Sequence, residues 1–374
     1  MGLKIKSIDL VDFRNHQRFS LEGIGDLTIF VGRNGVGKTN VLEGINLLTA
    51  ASTFRHAQVS HLIREGSSFA RASMRCEDEN RQLDVSLQLE PGKKRFSVNG
   101  KTKPASEVRG VLPSIAFTPD DLEIAKKSSS LKRQALDDLG SQLNGNYSIL
   151  SRDFEKTLRY KNRLLKDEES QLMVDAINET LITCAVQLFC YRHALYRKMI
   201  PYVSDFYQSI ARSGEQFSAV YQPSWDYLTG EGENSSSLLD ESLYSDRNAV
   251  RETMSAALNR HAPIERARHR SLVGPHNDKI YFMLNGRDAS QFASQGQQRS
   301  IVLAWKLAEV EMVRQTLGIE PVLLLDDVMS ELDGSRRDML VGNVTETTQT
   351  FVTATDLSPF NPDLLKRARV VELV

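Results

Sequence analysis

Apolar and polar residues alternate in short runs through the first third of the chain, and this period of two predicts half-buried β-strands. The alternating runs lie at residues 3–12, 70–76, 83–89 and 95–98, with a purely apolar run at 27–31 and a further short strand predicted at 111–119. Asn99-Gly100 predicts a tight hairpin, because a type I′ turn needs a positive φ at both central residues. The chain is therefore predicted to begin with a strand-rich region.

The pattern becomes helical between Asp121 and about Ala267, where apolar residues recur every three to four positions. One such stripe runs from Val174 to Ala194, and Pro201 is predicted to end that helix because proline has no N–H to donate. Residues 229–237 are polar and without a period, which predicts a loop. No heptad pattern lasts for three heptads in this region, so a long coiled coil is excluded.

Strands are predicted again in the last third of the chain. Residues 280–284 precede a second hairpin signal, Asn285-Gly286. Residues 322–325 have no polar side chain, as expected of a strand buried on both faces. Further strands are predicted at 351–354 and 370–374. Strands and helices at both ends of the chain, with helices between them, indicate an α/β fold.

One glycine-rich segment in this framework carries recognisable chemistry. It follows the apolar run at 27–31 and precedes a helix predicted by the spacing of Val41, Ile45 and Leu48. Strand, glycine-rich turn and helix form the context of a P-loop, whose backbone N–H groups and helix N-terminus cradle phosphates. The residues predicted to bind the nucleotide are Gly32, Arg33, Asn34, Gly35, Val36, Gly37, Lys38 and Thr39. Lys38 is expected to reach the β/γ-phosphates of ATP and Thr39 to ligate Mg²⁺.

Two adjacent acids follow the buried run at 322–325. A carboxylate at the C-terminal end of such a strand can lie beside a P-loop, so Asp326 is predicted to hold Mg²⁺. Asp327, next in the chain, is predicted to polarise the attacking water as a general base. The simplest packing then joins residues 1–115 and 270–374 into one nucleotide-binding lobe, with a mainly helical lobe at 116–269 inserted between them.

A third motif opens the amphipathic helix predicted to end near Gln315. Ser294-Gln295-Gly296-Gln297 presents a hydroxyl and several backbone N–H groups at a helix N-terminus, which is an anion site. By itself the motif is also compatible with an ordinary helix cap. A fourth motif, Ser330-Glu331-Leu332-Asp333, follows the two acids. The order of the four motifs makes the combination far more specific than any one of them.

Length and composition narrow the class of protein. The chain has 374 residues and a formal net charge of −1. This charge argues against binding of nucleic acid through the overall charge of the protein, so any such binding must come from local basic patches. The 3 cysteines form no C-x-x-C pair and fit reduced cytosolic thiols. No stretch approaches the ~20 uninterrupted apolar residues of a membrane span. The histidines show no metal-ligand spacing, so no transition-metal site is predicted.

With these motifs in this order, the chain resembles the ABC-type ATPases of the SMC and Rad50 class, and most closely the RecF family of bacterial recombination mediators. Three more segments carry the resemblance: Phe13-Arg14-Asn15, Phe117-Thr118-Pro119-Asp120-Asp121-Leu122 and Gly274-Pro275-His276. The absence of a long coiled coil fits RecF and excludes full-length Rad50 or SMC. The chain departs from the family pattern at 125–137 and 277–279, and Thr353-Ala354-Thr355-Asp356 lacks a switch histidine, which leaves the γ-phosphate sensor unassigned.

The resemblance implies a two-lobed ATPase head that forms a homodimer on binding ATP and Mg²⁺. Ser294, Gly296 and Gln297 of one subunit would contact the nucleotide on the P-loop of the other, with Ser294 taking part in catalysis. It also implies slow, DNA-stimulated hydrolysis and binding to DNA at gaps or single-strand/double-strand junctions. The implied partners are RecR and RecO, with RecA loaded indirectly. This protein is expected in the cytoplasm and not at a membrane.

Two alternatives differ in what the nucleotide does. The first is a nucleotide-gated DNA-binding scaffold, in which nucleotide binding is the switch and hydrolysis is incidental. The second is the ATPase subunit of an ABC transporter, which is disfavoured by the Ser-Gln-Gly-Gln motif and by the missing switch histidine. Four basic clusters are candidate DNA contacts, although the ordinary interpretation of each, a solvated face balanced by nearby acids, is favoured. They comprise Lys93, Lys94, Arg95, Lys101 and Lys103; Lys126, Lys127, Lys132 and Arg133; Arg152, Lys156, Arg159, Lys161 and Arg163; and Arg266, Arg268 and Arg270.

Overall fold

The structure is a computed structural model that describes residues 2–55, 57–126, 129–211, 214–227, 244–344 and 347–374, with side chains of 338 and 341–344 left out. The loop predicted at 229–237 lies outside the described residues. The strands are β1 (Lys4–Phe13), β2 (His16–Glu22), β3 (Leu27–Val31), β4 (Ala70–Glu77), β5 (Gln82–Glu90), β6 (Lys93–Val98), β7 (Lys101–Lys103), β8 (Ser114–Phe117), β9 (Phe217–Gln222), β10 (Lys279–Leu284), β11 (Arg287–Asp288), β12 (Val322–Asp326), β13 (Thr350–Ala354) and β14 (Arg369–Glu372).

The helices alternate with these strands at both ends of the chain and follow one another in the middle. They are α1 (Lys38–Thr49), α2 (Val59–Leu62), α3 (Ala105–Val108), α4 (Glu123–Lys126), α5 (Ser129–Leu143), α6 (Gly145–Lys166), α7 (Gln171–Ala211), α8 (Ser224–Tyr227), α9 (Arg247–Ala267), α10 (Ala289–Phe292), α11 (Gln295–Leu317), α12 (Val328–Glu331), α13 (Gly334–Val344) and α14 (Pro362–Arg367). Short 3₁₀ turns lie at Pro119–Leu122 and Pro275–Asn277.

The chain forms two compact units. The first comprises Met1–Glu123, Asp205–Arg212 and Arg299–Val374, and the second comprises Ile124–Ser204 and Ser213–Gln298. The lobe boundaries predicted at 115/116 and 269/270 differ from these limits. The reason for the second difference is strand pairing: β10 pairs antiparallel with β9, so this strand belongs to the second unit. The division into functional lobes stays a prediction.

Two sheets pack around the P-loop helix in the first unit. The parallel sheet has the order β14-β3-β13-β12-β8, and the antiparallel sheet has the order β2-β1-β4-β5-β6-β7. Helix α1 contacts both sheets, and it buries residues on every face, including Val41, Ile45 and Leu48. A helix that is buried all round, with its polar groups such as Glu43 and Asn46 hydrogen-bonded inside the protein, is a core helix. The P-loop helix therefore occupies the centre of this unit.

The second unit is helical and carries the small sheet β11-β10-β9. Strand β9 lies inside the region predicted to be mainly helical and was not predicted, and neither was β2. Helix α7 continues through Pro201 to Ala211, so the predicted end at Pro201 is wrong. Met199, Val203 and Tyr207, on both sides of the proline, are fully buried. Burial of this apolar stripe outweighs the one backbone hydrogen bond that proline removes.

Helix α7 is long and apolar enough to span a membrane by length and composition alone. Its residues Leu181, Ala185 and Leu188 are buried against the rest of the protein. Arg192 on the same helix donates from Nε and Nη2 to the two carboxylate oxygens of Asp137, both at 2.8 Å. Such contacts are typical of the core helix of a globular unit.

Both predicted hairpin turns are confirmed. Asn99 and Gly100 have φ values of 49° and 74°, and Asn285 and Gly286 have values of 48° and 75°. These turns connect β6 to β7 and β10 to β11, which pair antiparallel. The local requirement for a positive φ at two successive residues was therefore sufficient to locate both turns.

A buried ion pair links two helices of the second unit. Lys161 Nζ of α6 lies 2.6 Å from Glu265 Oε2 of α9, with side chains 0% and 3% exposed. The other carboxylate oxygen, Oε1, accepts from Leu272 N at 2.6 Å and from Ser271 Oγ at 3.1 Å. Each charge depends on its partner, because an unpaired charge in such a site is costly.

We expect Lys161→Ala to lower the free energy of unfolding of the second unit by about 3–5 kcal/mol, because Glu265 is left buried without its counter-ion. Urea unfolding followed by circular dichroism measures the effect. The matched control is Glu179→Ala, which breaks the exposed Arg251–Glu179 pair and should change stability little. Equal effects of the two substitutions would contradict a structural role for the buried pair.

Candidate nucleotide site

The P-loop connects the end of β3 to α1 at the carboxyl edge of the parallel sheet. Gly35 and Gly37 have φ values of +88° and +106°, which L-residues rarely adopt. A Cβ at Gly37 would also lie 2.5 Å from His16 Nε2 and 2.6 Å from Asn15 Oδ1. Glycine is therefore required at Gly37 both by the backbone angle and by the space around it.

Lys38 lies folded against its own loop. Its Nζ donates to the carbonyl oxygens of Gly32 at 2.5 Å and Arg33 at 3.0 Å, and the residue is 7% exposed. The ammonium group is thus held inside the curve of the loop by two weak backbone acceptors. Phosphate oxygens, being charged, would be stronger acceptors for the same group.

The two residues predicted to hold Mg²⁺ are in direct contact. Thr39 Oγ1 donates to Asp326 Oδ1 at 2.7 Å, although the residues are 287 positions apart in sequence. Thr353 Oγ1, at the end of β13, donates to the same carboxylate oxygen at 2.8 Å. The sequence places Thr353 in a predicted strand and in the segment that lacks a switch histidine. It did not predict the role of Thr353 in orienting Asp326. Its place at the end of the strand between β3 and β12 was the signal that could have revealed it.

Asp327 has an unusual backbone conformation. Its φ of 54° is left-handed, and its N–H donates to Thr353 Oγ1 at 2.9 Å. Its carbonyl accepts from Ser330 Oγ at 2.8 Å. Burial, followed by the neighbouring charge of Asp326, raises the pKa of the Asp327 carboxyl above its usual range. A carboxylate with a raised pKa is a better general base than an ordinary aspartate.

The Phe13-Arg14-Asn15-His16 segment braces the P-loop, which the sequence alone did not reveal. Asn15 Nδ2 donates to the carbonyl of Gly35 at 3.3 Å, and His16 Nε2 lies 3.1 Å from the carbonyl of Gly37. Arg14 holds the segment in place through two hydrogen bonds of 2.8 Å to the buried carboxylate of Glu43 on α1. The segment and the P-loop helix are therefore tied together at several points.

The Ser294 motif caps helix α11. Gln297 N donates to Ser294 Oγ at 3.3 Å, and Ser294 N donates to Gln297 Oε1 at 2.6 Å, which is a capping box. Ser294 is exposed. Ser294, Gly296 and Gln297 belong to the second unit, whereas the P-loop and both acids belong to the first. The meeting of these groups across a dimer stays a prediction.

A buried charge network joins α11 to the Phe117–Leu122 segment within the first unit. Lys306 Nζ lies 2.9 Å from Asp121 Oδ1 and 3.3 Å from Glu309 Oε2. Burial alone would lower the pKa of Lys306, but the carboxylates of Asp121 and Glu309 raise it overall. Burial raises the pKa of Glu309 to about 7. Asp121 also accepts from Thr118 N at 2.7 Å, so the network fixes this turn.

The described residues at the P-loop fit ATP and Mg²⁺. Mg²⁺ prefers oxygen ligands, usually one or two protein groups completed by phosphates and water. Thr39 and Asp326 supply one hydroxyl and one carboxylate beside a loop shaped for phosphates. No group of three or more His, Cys, Asp or Glu side chains suitable for a metal occurs in the described part of the chain. The donor set is therefore that of a nucleotide-bound magnesium.

The basic clusters differ in accessibility. Lys132 and Lys161 are buried, and Arg133 donates to the backbone carbonyl of Asp278. Lys127 lies outside the described residues. The exposed members include Lys93, Lys94, Arg95 and Lys101 on the hairpin and Arg268 and Arg270 after α9. The hairpin and the arginines after α9 are thus more available to a polyanion than the buried members.

Comparison with known proteins gives a consistent result over nearly the whole chain. Residues 4–362 match the family described as RecF/RecN/SMC N terminal domain. The DNA replication and repair protein RecF of Gloeobacter violaceus is 34% identical, covering 99% of this chain and 96% of the relative. RecF of Lactobacillus delbrueckii is 32% identical, covering 96% of this chain and 92% of the relative.

Comparison with solved structures leads to the same family as comparison with the sequence relatives. The recombination mediator protein RecF-ATPrS in the RecFOR pathway superimposes with a TM-score of 0.86 at 28% identity, covering 96% of this chain and 94% of that one. The RecF-ATP structure gives a TM-score of 0.82 with the same identity and coverage. The Smc head domain from Pyrococcus furiosus, at 13% identity and a TM-score of 0.52, shares the fold alone.

These matches establish the ABC-ATPase head fold predicted from the motifs. The chain belongs to the RecF family of DNA replication and repair ATPases.

Proposed function

We propose that this protein uses ATP to close a homodimer around DNA and uses slow hydrolysis of that ATP to open it. The observation that carries the nucleotide half of the proposal is the 2.7 Å hydrogen bond from Thr39 to Asp326, because it assembles the magnesium ligands beside the P-loop. The DNA half rests on the family and on the exposed basic residues of the hairpin and of the segment after α9.

Lys38, Thr39 and Asp327 have separate roles in ATP hydrolysis. On ATP binding, Lys38 exchanges the carbonyls of Gly32 and Arg33 for β/γ-phosphate oxygens. Mg²⁺, when bound by Thr39 and Asp326, neutralises charge on those phosphates. Asp327 accepts a proton from the attacking water as the water oxygen bonds to the γ-phosphorus, and the bond from that phosphorus to the β–γ bridging oxygen breaks.

Ser294 completes the site from the partner subunit. In the capping box, Ser294 Oγ accepts a hydrogen bond from Gln297 N, so the hydroxyl hydrogen can be donated to a γ-phosphate oxygen. The N-terminus of α11 adds its partial positive charge, and the backbone N–H groups near Gly296 and Gln297 add donors. One chain therefore supplies half of each of two sites.

The partners follow from the relatives. The solved RecF structures are described as belonging to the RecFOR pathway. On that basis we propose that this protein acts in the cytoplasm with RecO- and RecR-type mediators, binds gaps or single-strand/double-strand junctions without sequence specificity, and assists RecA loading indirectly.

We expect Asp327→Asn to retain ATP binding but to slow hydrolysis by about 10²-fold or more, because the water loses its general base. Phosphate release and the lifetime of the DNA complex measure the two effects, and the lifetime should increase. Asp363→Asn, at an exposed Lys366 pair, is the control. Normal multiple-turnover recombinase loading by Asp327→Asn would instead favour the scaffold alternative, in which hydrolysis is incidental.

Lys38→Ala and Ser294→Arg should each abolish hydrolysis, and mixing them should restore it. A mixed dimer has one site with both residues intact, so an equimolar mixture should recover about a quarter of wild-type activity per chain. Steady-state phosphate release measures the recovery, with each variant at doubled concentration as the control. No recovery, under conditions where mixed dimers are seen by native mass spectrometry, would contradict the composite site.

Thr353→Val should raise the Mg²⁺ concentration needed for half-maximal hydrolysis and lower the rate about tenfold, because Asp326 and the Asp327 backbone lose a shared hydrogen-bond partner. Magnesium titration of ATPase activity measures both effects. Thr350→Val is the matched control, since it makes the same change on β13 at a hydroxyl that bonds only to the carbonyl of Thr348. Identical magnesium dependence of the two variants would argue against this role of Thr353.

A further inference from the structure

A polar cavity in the second unit carries chemistry that the nucleotide site does not use. The cavity has a volume of about 370 Å³ and is lined by Asn162, Arg268, Arg270, Ser271 and Asn277, together with Leu272 and His276. Its size falls in the range of about 300–1,000 Å³ that is typical of small-molecule sites. None of the lining residues is acidic. The cavity is therefore suited to an anion.

The two arginines of the cavity are not neutralised by the protein. Across the described ranges, the side chains of Arg268 and Arg270 have no hydrogen-bond or ion-pair partner, and both residues are exposed. Arg266, the third basic residue of this cluster, donates instead to the carbonyl of Glu169 at 3.2 Å and to Gln171 Oε1 at 2.9 Å. Of the three arginines in this cluster, Arg266 is therefore engaged within the protein, whereas the side chains of the other two can bind a ligand.

The turn that carries the arginines is held in a strained conformation. His269, between them, has a left-handed φ of 52°, which is uncommon for a residue other than glycine. Its Nδ1 lies 3.0 Å from the carbonyl of Leu165. On either side, Arg268 N donates to Ile264 O at 2.9 Å and Arg270 N donates to Glu265 O at 3.1 Å. The backbone on both sides of His269 is therefore held by hydrogen bonds.

The wall of the cavity is also preorganised. Asn162 Oδ1 accepts from Ser271 N at 2.7 Å, which leaves the NH₂ group of Asn162 as a donor. Asn277 Nδ2 donates to Leu272 O at 2.8 Å. The charge of Glu265 behind this wall is compensated by Lys161. Burial lowers the pKa of His276 to about 4, so this imidazole is neutral at pH 7 and the positive charge comes from the arginines.

We propose that this cavity is a binding site for a phosphate group, held by the guanidinium groups of Arg268 and Arg270 and the amide of Asn162. Arginine forks match the geometry of phosphate oxygens, and a rigid wall reduces the entropy lost on binding. The phosphate can come from DNA or from a free phosphate compound. The DNA source rests on the function proposed above, whereas the free source does not.

The first test measures the free anion. Thermal unfolding of the full chain is compared in sodium phosphate and in sodium chloride of equal ionic strength, for wild type, Arg268→Gln/Arg270→Gln and Arg197→Gln/Lys198→Gln. The last variant is a matched control, because it removes two exposed positive charges from α7 in the same unit but outside the cavity and outside the four basic clusters. We expect phosphate to raise the unfolding temperature of wild type and control by more than that of the cavity variant, since the P-loop and the general stabilising effect of phosphate act on all three alike.

The second test measures DNA binding by fluorescence anisotropy in chloride buffer. We expect the cavity variant to lose about tenfold or more in affinity and the control about threefold or less, since the control loses only long-range attraction. Inorganic phosphate should compete with DNA for wild type but not for the cavity variant. A response in both tests identifies DNA phosphate as a source, and a response in the first test alone identifies a free anion.

The proposal is overturned if the cavity variant and the control behave alike in both tests. Unfolding temperatures in chloride, and binding of a fluorescent ATP analogue, show whether each variant is folded with an intact nucleotide site. If wild type itself does not bind DNA, the function proposed above fails in its DNA half, and the phosphate test still decides the role of the cavity. Arg268→Lys/Arg270→Lys should recover part of the phosphate response, because charge is restored without the arginine fork.

Discussion

Burial of the P-loop helix on every face is the constraint on which the nucleotide site depends. Helix α1 contacts both sheets of the first unit, and Gly44 approaches β1 so closely that a Cβ there would lie 2.8 Å from Leu10 Cδ2. A helix packed this tightly cannot slide or rotate without opening the core. Its N-terminus, which carries Lys38 and Thr39, is thereby held at the carboxyl edge of the parallel sheet.

The acids opposite the P-loop are positioned by hydroxyl groups as well as by packing. One oxygen of Asp326 accepts from both Thr39 and Thr353, and Thr353 also accepts from the backbone of Asp327. Three segments of the chain thus meet in one small hydrogen-bond network. Such a network holds the left-handed turn at Asp327, whose strain would otherwise favour a different backbone.

A second polar network has a different character, because it lies in the core of the first unit. Lys306, Asp121 and Glu309 form a buried cluster in which positive and negative groups compensate one another. Helix α11 carries this cluster near its middle and the Ser294 cap at its start. Loss of Lys306 would leave two acidic groups of this cluster without their counter-ion.

Several features were predictable because their causes are local. The hairpins at Asn99-Gly100 and Asn285-Gly286, the strand before the P-loop and the buried strand before Asp326 all lie where the sequence patterns place them. A turn that needs positive φ, and a period of apolar residues, involve only near neighbours. The order of the motifs was also sufficient to predict the ABC-ATPase head fold.

Other features depended on groups distant in sequence. Strand β9 forms because β10 pairs with it, and α7 passes through Pro201 because the surrounding apolar stripe is buried. The contact of Thr39 with Asp326, the participation of Thr353 and the cavity beside Arg268 and Arg270 likewise require segments far apart in the chain. The sequence by itself therefore determined which chemical groups are present and which local conformations they prefer. Only the tertiary structure decided which of them meet, because packing and strand pairing act between residues that no local pattern connects.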